Sequence, residues 1–288
     1  MEYTQEDDTI VLTGYNSFNI AETLECGQCF RYEKLSGLEY HIIANSRSLF
    51  IRQVKDATLF YKTSAEDFER IWIPYFDLNR DYRAVKDTLA ANDLVMRDAS
   101  EYAGGIRILR QEPWECLVSF IISQNNNIPR IRKITDTLAK TFGKPLGDNA
   151  YAFPSPEDLA KVSLDDLLAC KTGFRAKYIQ YAVKNVIAGD IDLNALNNMD
   201  TDAARESLIS LKGVGGKIAD CVLLFAYGRY GVFPTDVWIK RVMQYFYFNK
   251  QNASITDIHK LAKNRFGEYA GFAQQYLYVY AREFLKNL

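Results

Sequence analysis

The stretch Ser210-Leu211-Lys212-Gly213-Val214-Gly215-Gly216-Lys217-Ile218-Ala219-Asp220-Cys221 constrains this chain more than any other. Before it, Ala203, Ala204, Leu208 and Ile209 recur at helical spacing, and after it Ile218, Cys221, Val222 and Phe225 do the same. Two helices joined by so short a turn form a helix-hairpin-helix, here over about residues 203–227. Gly213, Gly215 and Gly216 supply the positive φ that such a turn needs. The N–H groups that open the second helix are then free to hold a phosphate. Lys217 stands at that opening. A nucleotide P-loop is excluded, because Ile218 follows the lysine where serine or threonine is required and no strand precedes the loop. On the residues alone, Lys217 is a lysine that contacts a DNA phosphate.

The rest of the chain divides by periodicity. Short aromatic and β-branched runs at 9–12, 28–32, 38–43, 48–52 and 58–61 read as an antiparallel meander over roughly residues 8–63. From Ser64, a plausible helix cap with Asp67 three residues on, the pattern turns helical. Helices are expected near 81–92, 112–123, 128–142, 163–171, 174–188, 201–211, 216–227, 237–248, 255–266 and 270–286. The Gly/Pro-rich stretch from Gly143 to Pro156 reads as a long loop between two helical lobes. The expected fold is α+β: a small N-terminal antiparallel sheet domain with its following helices over 1–100, and a large all-α body over 101–288.

A net charge of −1 argues at first against a nucleic-acid partner. Its distribution argues the other way. Residues 1–100 carry 11 Lys and Arg against 17 Asp and Glu, leaving 24 against 19 for the remainder. A basic body suits a surface that tracks phosphates. The five cysteines, Cys26, Cys29, Cys116, Cys170 and Cys221, are odd in number and mostly scattered. That spacing fits neither a disulfide framework nor an iron–sulfur cluster. The Cys26-Gly27-Gln28-Cys29 run lacks the βαβ surroundings of a redox motif, and two histidines leave a zinc site few ligands. No apolar run is long enough for a membrane span, and the acidic start cannot serve as a secretory n-region. We therefore expect an intracellular protein.

Four further segments carry polar or aromatic groups in suggestive places. Asp236 follows Lys217 by 19 residues and opens the next helix, where a plain N-cap role would suffice. Gln124-Asn125-Asn126-Asn127-Ile128-Pro129-Arg130 is either a helix-capping turn or a set of amides and a guanidinium suited to base edges. Phe174, after Gly173, is either core or an aromatic wedge, with Arg175 beside it. Gln274 and Tyr278, four apart, share one helical face in a Tyr/Phe-rich segment that could equally be packing.

Taken together, the hairpin, its lysine and the following Pro234-Thr235-Asp236 resemble the helix-hairpin-helix (HhH-GPD) DNA glycosylases. Over most of its length the chain is similar to the 8-oxoguanine DNA glycosylase/AP lyases of that superfamily. The resemblance implies that Lys217 is the nucleophile and Asp236 its electrostatic partner. It gives Gly27, in Gly27-Gln28-Cys29-Phe30-Arg31, the carbonyl that senses N7–H of the lesion. Gln274 would take the Watson–Crick edge, with Tyr278 and Cys221 on the two faces of the base and Phe225 beside them. Asn125, Arg130 and Arg175 would read the orphaned cytosine, and Phe174 would fill the gap. Gly213, Gly215 and Gly216 would hold DNA phosphate, and the carbonyls of Ile209, Leu211 and Val214 a structural cation. No cofactor and no iron–sulfur cluster is implied. The partner is double-stranded DNA containing 8-oxoguanine, met by a monomer away from any membrane.

This sequence departs from the family pattern at four places. Trp238 stands where histidine near a DNA phosphate is usual, Phe225 where methionine is, Tyr278 where phenylalanine is and Phe174 where tyrosine is. Two other readings stay open: a glycosylase for alkylated bases, for which Asp236 alone would suffice, and a non-catalytic DNA-binding hairpin protein, which needs no base pocket.

Overall fold

The computed structural model describes residues 1–15 and 17–285. Six strands, β1 (Glu2–Glu6), β2 (Thr9–Thr13), β3 (Tyr32–Ser36), β4 (Glu39–Ala44), β5 (Arg47–Gln53) and β6 (Ala57–Tyr61), form one antiparallel sheet. The spatial order is β1-β2-β6-β5-β4-β3, so the expected meander holds only from β3 to β6. β1 and β2 form a separate hairpin added to β6, with Ile10 paired to Phe60. β1 escapes notice in the sequence because it is acidic and exposed on nearly every residue, with no alternating apolar face. Residues 28–31 are not a strand. They form a loop whose polar groups are held by side chains, and a helix, Ile20–Glu25, precedes it.

Helices make up the remainder, mostly where the apolar period places them. Ser64 caps the first helical turn, accepting from Asp67 N at 3.1 Å. A helix over Leu94–Tyr102, capped by Asp93, was not evident from the sequence. The loop expected after Gly143 contains a two-stranded hairpin, Pro145–Gly147 with Ala150–Tyr151. The last helix runs Ala270–Phe284; residue 286, the expected final position, lies outside the described residues. Two apolar clusters form. One fills the space under the sheet, from Ile10 to Phe76 with Leu109. The larger one runs through the helical body and takes in Tyr82 to Ala103 together with Cys26 and Phe30.

Two buried polar side chains join these clusters. Gln28 is fully buried; its amide nitrogen donates to the carbonyls of Thr23 (2.8 Å) and Arg107 (2.7 Å), and its amide oxygen accepts from Leu109 N (2.9 Å). Arg107 is 1% exposed, with its guanidinium 4.0 Å from the Tyr82 ring centroid. It donates to the carbonyls of Ser17 (2.9 Å), Asp77 (3.0 Å) and Arg80 (3.2 Å) and to the Tyr15 hydroxyl. These acceptors come from two separate segments, 15–17 and 77–80, so one planar cation fixes their relative positions. Arg107→Met should therefore leave several buried acceptors unmet and cost about 3 kcal/mol or more. A shift of the urea midpoint measures this, and an unchanged midpoint would contradict the role.

Candidate active site

The hairpin forms, but of its three glycines only Gly213 takes the expected positive φ; Gly215 is at φ −99° and Gly216 already opens the second helix. Its helices are Thr201–Ile209 and Gly216–Phe225. Gly213 has φ +91°, and a Cβ there would sit 2.3 Å from the Tyr178 ring, so both backbone conformation and space demand glycine. No side chain caps the second helix at Gly215, and the positions of Gly215 and Gly216 are open. Its leading N–H groups thus stay available to an anion. Of the carbonyls expected to hold a cation, that of Leu211 accepts Val214 N at 2.9 Å. Among the described residues no group of three or more His, Cys, Asp or Glu could hold a metal ion.

Lys217, on the first turn of that helix, turns into a cavity of about 580 Å³ rather than out to solvent. Gly27, Cys221, Phe225, Asp236, Gln274 and Tyr278 line the same cavity, with Phe120, Trp238, Gln275 and Arg282. The Lys217 ammonium lies 5.1 Å from the Phe120 ring centroid, and Phe120 stacks on Phe225 at 5.6 Å. Asp236 caps the helix Val237–Tyr247, accepting from Ile239 N at 2.7 Å. Behind it, the Thr235 hydroxyl lies 3.1 Å from His259 Nε2, which ties the Asp236 segment to the helix Ile255–Phe266.

Gly27 reaches the cavity from the sheet side. Its φ is +83°, and a Cβ would meet Ile128 Cδ1 at 3.3 Å and the Tyr278 hydroxyl at 3.5 Å. Burial raises the Tyr278 phenol above its ordinary range, against the pull of Arg282, whose guanidinium lies 5.5 Å from the Tyr278 ring centroid. Gln274 is 5% exposed.

Asn125, Arg130, Phe174 and Arg175 lie outside this cavity. Asn126 and Asn127 take the capping duties: Asn126 Nδ2 donates to Ile122 O at 3.0 Å, and Asn127 accepts from Arg130 N at 3.0 Å. Asn125, in the left-handed region at φ +45°, and the Arg130 side are left exposed. Asn125 lines a second groove with Lys217, Asp236, Trp238 and Arg241. Phe174 is 53% exposed and rests edge-on against Tyr178, the same ring that packs on Gly213. Arg175 is buried, donating to the carbonyls of Gln124 and Asn125, the latter at 2.9 Å. It holds the Asn125 turn in place.

Tyr178 and Gln275 had no role in the sequence reading; only tertiary packing marks them. The glycine requirement at Gly213 was a hint that some bulky group abuts it.

One chemical consequence concerns Cys221. Burial pushes its thiol up to about 11, and the neighbouring Lys217 cation pulls the other way. Alkylation by iodoacetamide at pH 8 should then run roughly a hundredfold slower than for free cysteine. Removing the cation raises the thiol further, so Lys217→Gln should slow it again; faster labelling in that variant would contradict the contact.

Known proteins share this fold. Residues 10–117 match the 8-oxoguanine DNA glycosylase N-terminal domain, and residues 118–267 match the HhH-GPD superfamily base excision DNA repair proteins. A probable N-glycosylase/DNA lyase of Methanothermobacter thermautotrophicus is 32% identical, over 77% of this chain and 76% of that protein. The structure of MBOgg1 with a low-affinity DNA ligand superposes with a TM-score of 0.95 at 42% identity, covering 99% of both chains. The Clostridium acetobutylicum 8-oxoguanine glycosylase/lyase, bound to double-stranded DNA with cytosine opposite 8-oxoG, gives 0.95 at 34% identity, also over 99% of both. The chain belongs to the HhH-GPD superfamily of base excision DNA repair proteins and, within it, to the 8-oxoguanine DNA glycosylase/lyases.

Proposed function

We propose that this protein flips 8-oxoguanine paired with cytosine out of duplex DNA, excises it through Lys217 and then nicks the strand. The observation that carries the reading is the meeting of Lys217, Asp236, Gln274, Tyr278 and Gly27 in one cavity. A base inside a helix is out of reach, so the reaction needs a pocket of this kind. A volume of about 580 Å³ suits one flipped nucleoside.

In this reading the Lys217 amine attacks C1′ as the C1′–N9 bond breaks, with its electron pair leaving on the base. Asp236, at its helix start, faces the positive charge that develops on the sugar and orients or activates the amine. Ring opening and loss of a proton from the amine give a Schiff base. Loss of a C2′ proton then expels the 3′ phosphate. A Gly27 carbonyl aimed at N7 would accept from the lesion and repel the lone pair of guanine. Asn125, at the second groove, and Arg130, exposed on the following helix, read the orphaned cytosine. Phe174 fills the gap, and Arg175 contributes by holding Asn125.

The alkylated-base alternative leaves Lys217 without a task, and a non-catalytic hairpin leaves the cavity without one. Borohydride trapping on duplexes with 8-oxoguanine opposite each of the four bases tests the proposal. We expect a covalent adduct favoured opposite cytosine and absent in Lys217→Gln. Arg130→Ala should lose about tenfold or more of the cytosine preference. An adduct in Lys217→Gln would remove the nucleophile assignment, and equal trapping opposite all four bases would remove the cytosine reading.

A further inference from the structure

Asp236 enters the cavity from the segment 232–235, and the bond it accepts from Ile239 N lies within its own helix. That bond turns the carboxylate but does not place the segment against the hairpin that carries Lys217. The helix Ile255–Phe266 does. Phe233 stacks on its Phe266, with ring centroids 6.1 Å apart, and the hydroxyl of the buried Thr235 lies 3.1 Å from its His259 Nε2. The same hydroxyl donates to the Phe233 carbonyl at 2.9 Å. A hydroxyl has one proton to give, so toward His259 it is the acceptor and Nε2 carries the hydrogen.

His259 also answers to the hairpin. Asp220, buried and paired with Arg205 at 2.7 Å, bears on the charge of this imidazole from the second hairpin helix, three residues after Lys217. One side chain is thus coupled to the helix that carries the amine and to the segment that carries the acid. Burial lowers the imidazole below its ordinary range against the pull of Asp220, so near pH 8 it is neutral, with a single N–H. Neither Thr235 nor His259 lines the cavity. Packing alone would be met by two apolar side chains; a directional N–H···O bond adds a fixed position for the acid beside it. We infer that His259 is a positioning residue: through the Thr235 hydroxyl it holds Asp236 at the depth where the carboxylate meets the sugar. The inference rests on the role proposed above for Asp236 in base excision.

The test measures single-turnover excision of 8-oxoguanine opposite cytosine at pH 8, and Kd for a duplex bearing a tetrahydrofuran abasic analogue. Thr235→Val and His259→Leu stay close in volume and lose the bond. Each should slow excision by about tenfold or more while Kd stays at the wild-type value. Thr235→Ser and His259→Gln keep the acceptor and an N–H donor and should recover most of the rate. The double variant Thr235→Val/His259→Leu should be no slower than either single one. Titrating active sites with the abasic duplex sets the concentration of folded protein, so lost folding does not pass for lost rate. A wild-type rate in Thr235→Val or His259→Leu would overturn the inference, as would a loss in His259→Gln as deep as in His259→Leu. Failure of the underlying reading is distinct: Asp236→Asn would then excise at the wild-type rate.

Discussion

The buried Gln28 amide is the contact on which the site most depends. It sits between the two apolar clusters and ties the carbonyls of Thr23 and Arg107 and the N–H of Leu109 into one cross-link. Gln111 closes the arrangement by donating to the Gln28 carbonyl at 2.7 Å. Hydrogen bonds this deep hold their geometry because every alternative leaves a polar group unmet. Gly27 therefore stays pressed against Ile128 and Tyr278, and a loop from the acidic sheet domain becomes one wall of a cavity that the helical body supplies.

The opposite wall is set by the hairpin. Tyr178 packs on Gly213 and carries Phe174 on its edge, so the turn that leaves the second helix's leading N–H groups uncapped also positions the exposed aromatic. Arg175 continues the chain of contacts to the Asn125 carbonyl. The hairpin turn, the exposed Phe174 and the polar Asn125 turn are thus parts of a single packed unit. Cys221 and Phe225, on the second hairpin helix, extend that unit to the cavity.

Much of this was legible in the sequence, and the failures have identifiable causes. Helices such as Ile128–Phe142 and Ile255–Phe266 announce themselves by an apolar stripe and a capping residue, Asn127 and Ser254. β1 is hidden because its side chains are acidic and exposed and its pairing comes only from β2. Residues 28–31 mimic a strand in composition, yet the Gln28 side chain takes backbone partners at Thr23, Arg107 and Leu109, and the segment from Cys26 turns at Gly27. Lys217 and Asp236 stand out from the hairpin and the spacing after it, while the reactive roles proposed for them come from the family resemblance alone. Tyr178 and His259 do not stand out, because their significance lies in a facing glycine or a facing hydroxyl, and no periodicity encodes either.

The central claim is that the amine of Lys217 is the group that bonds to the sugar. Lys217 shares the cavity with Asp236 and Phe120, which distinguishes it from the lysines that face solvent. The direct measurement is peptide mapping by tandem mass spectrometry of the borohydride-reduced adduct formed by wild-type protein on 8-oxoguanine DNA. The account predicts that the reduced sugar fragment is attached to Lys217. Attachment at any other lysine, or at the terminal amine, would contradict it.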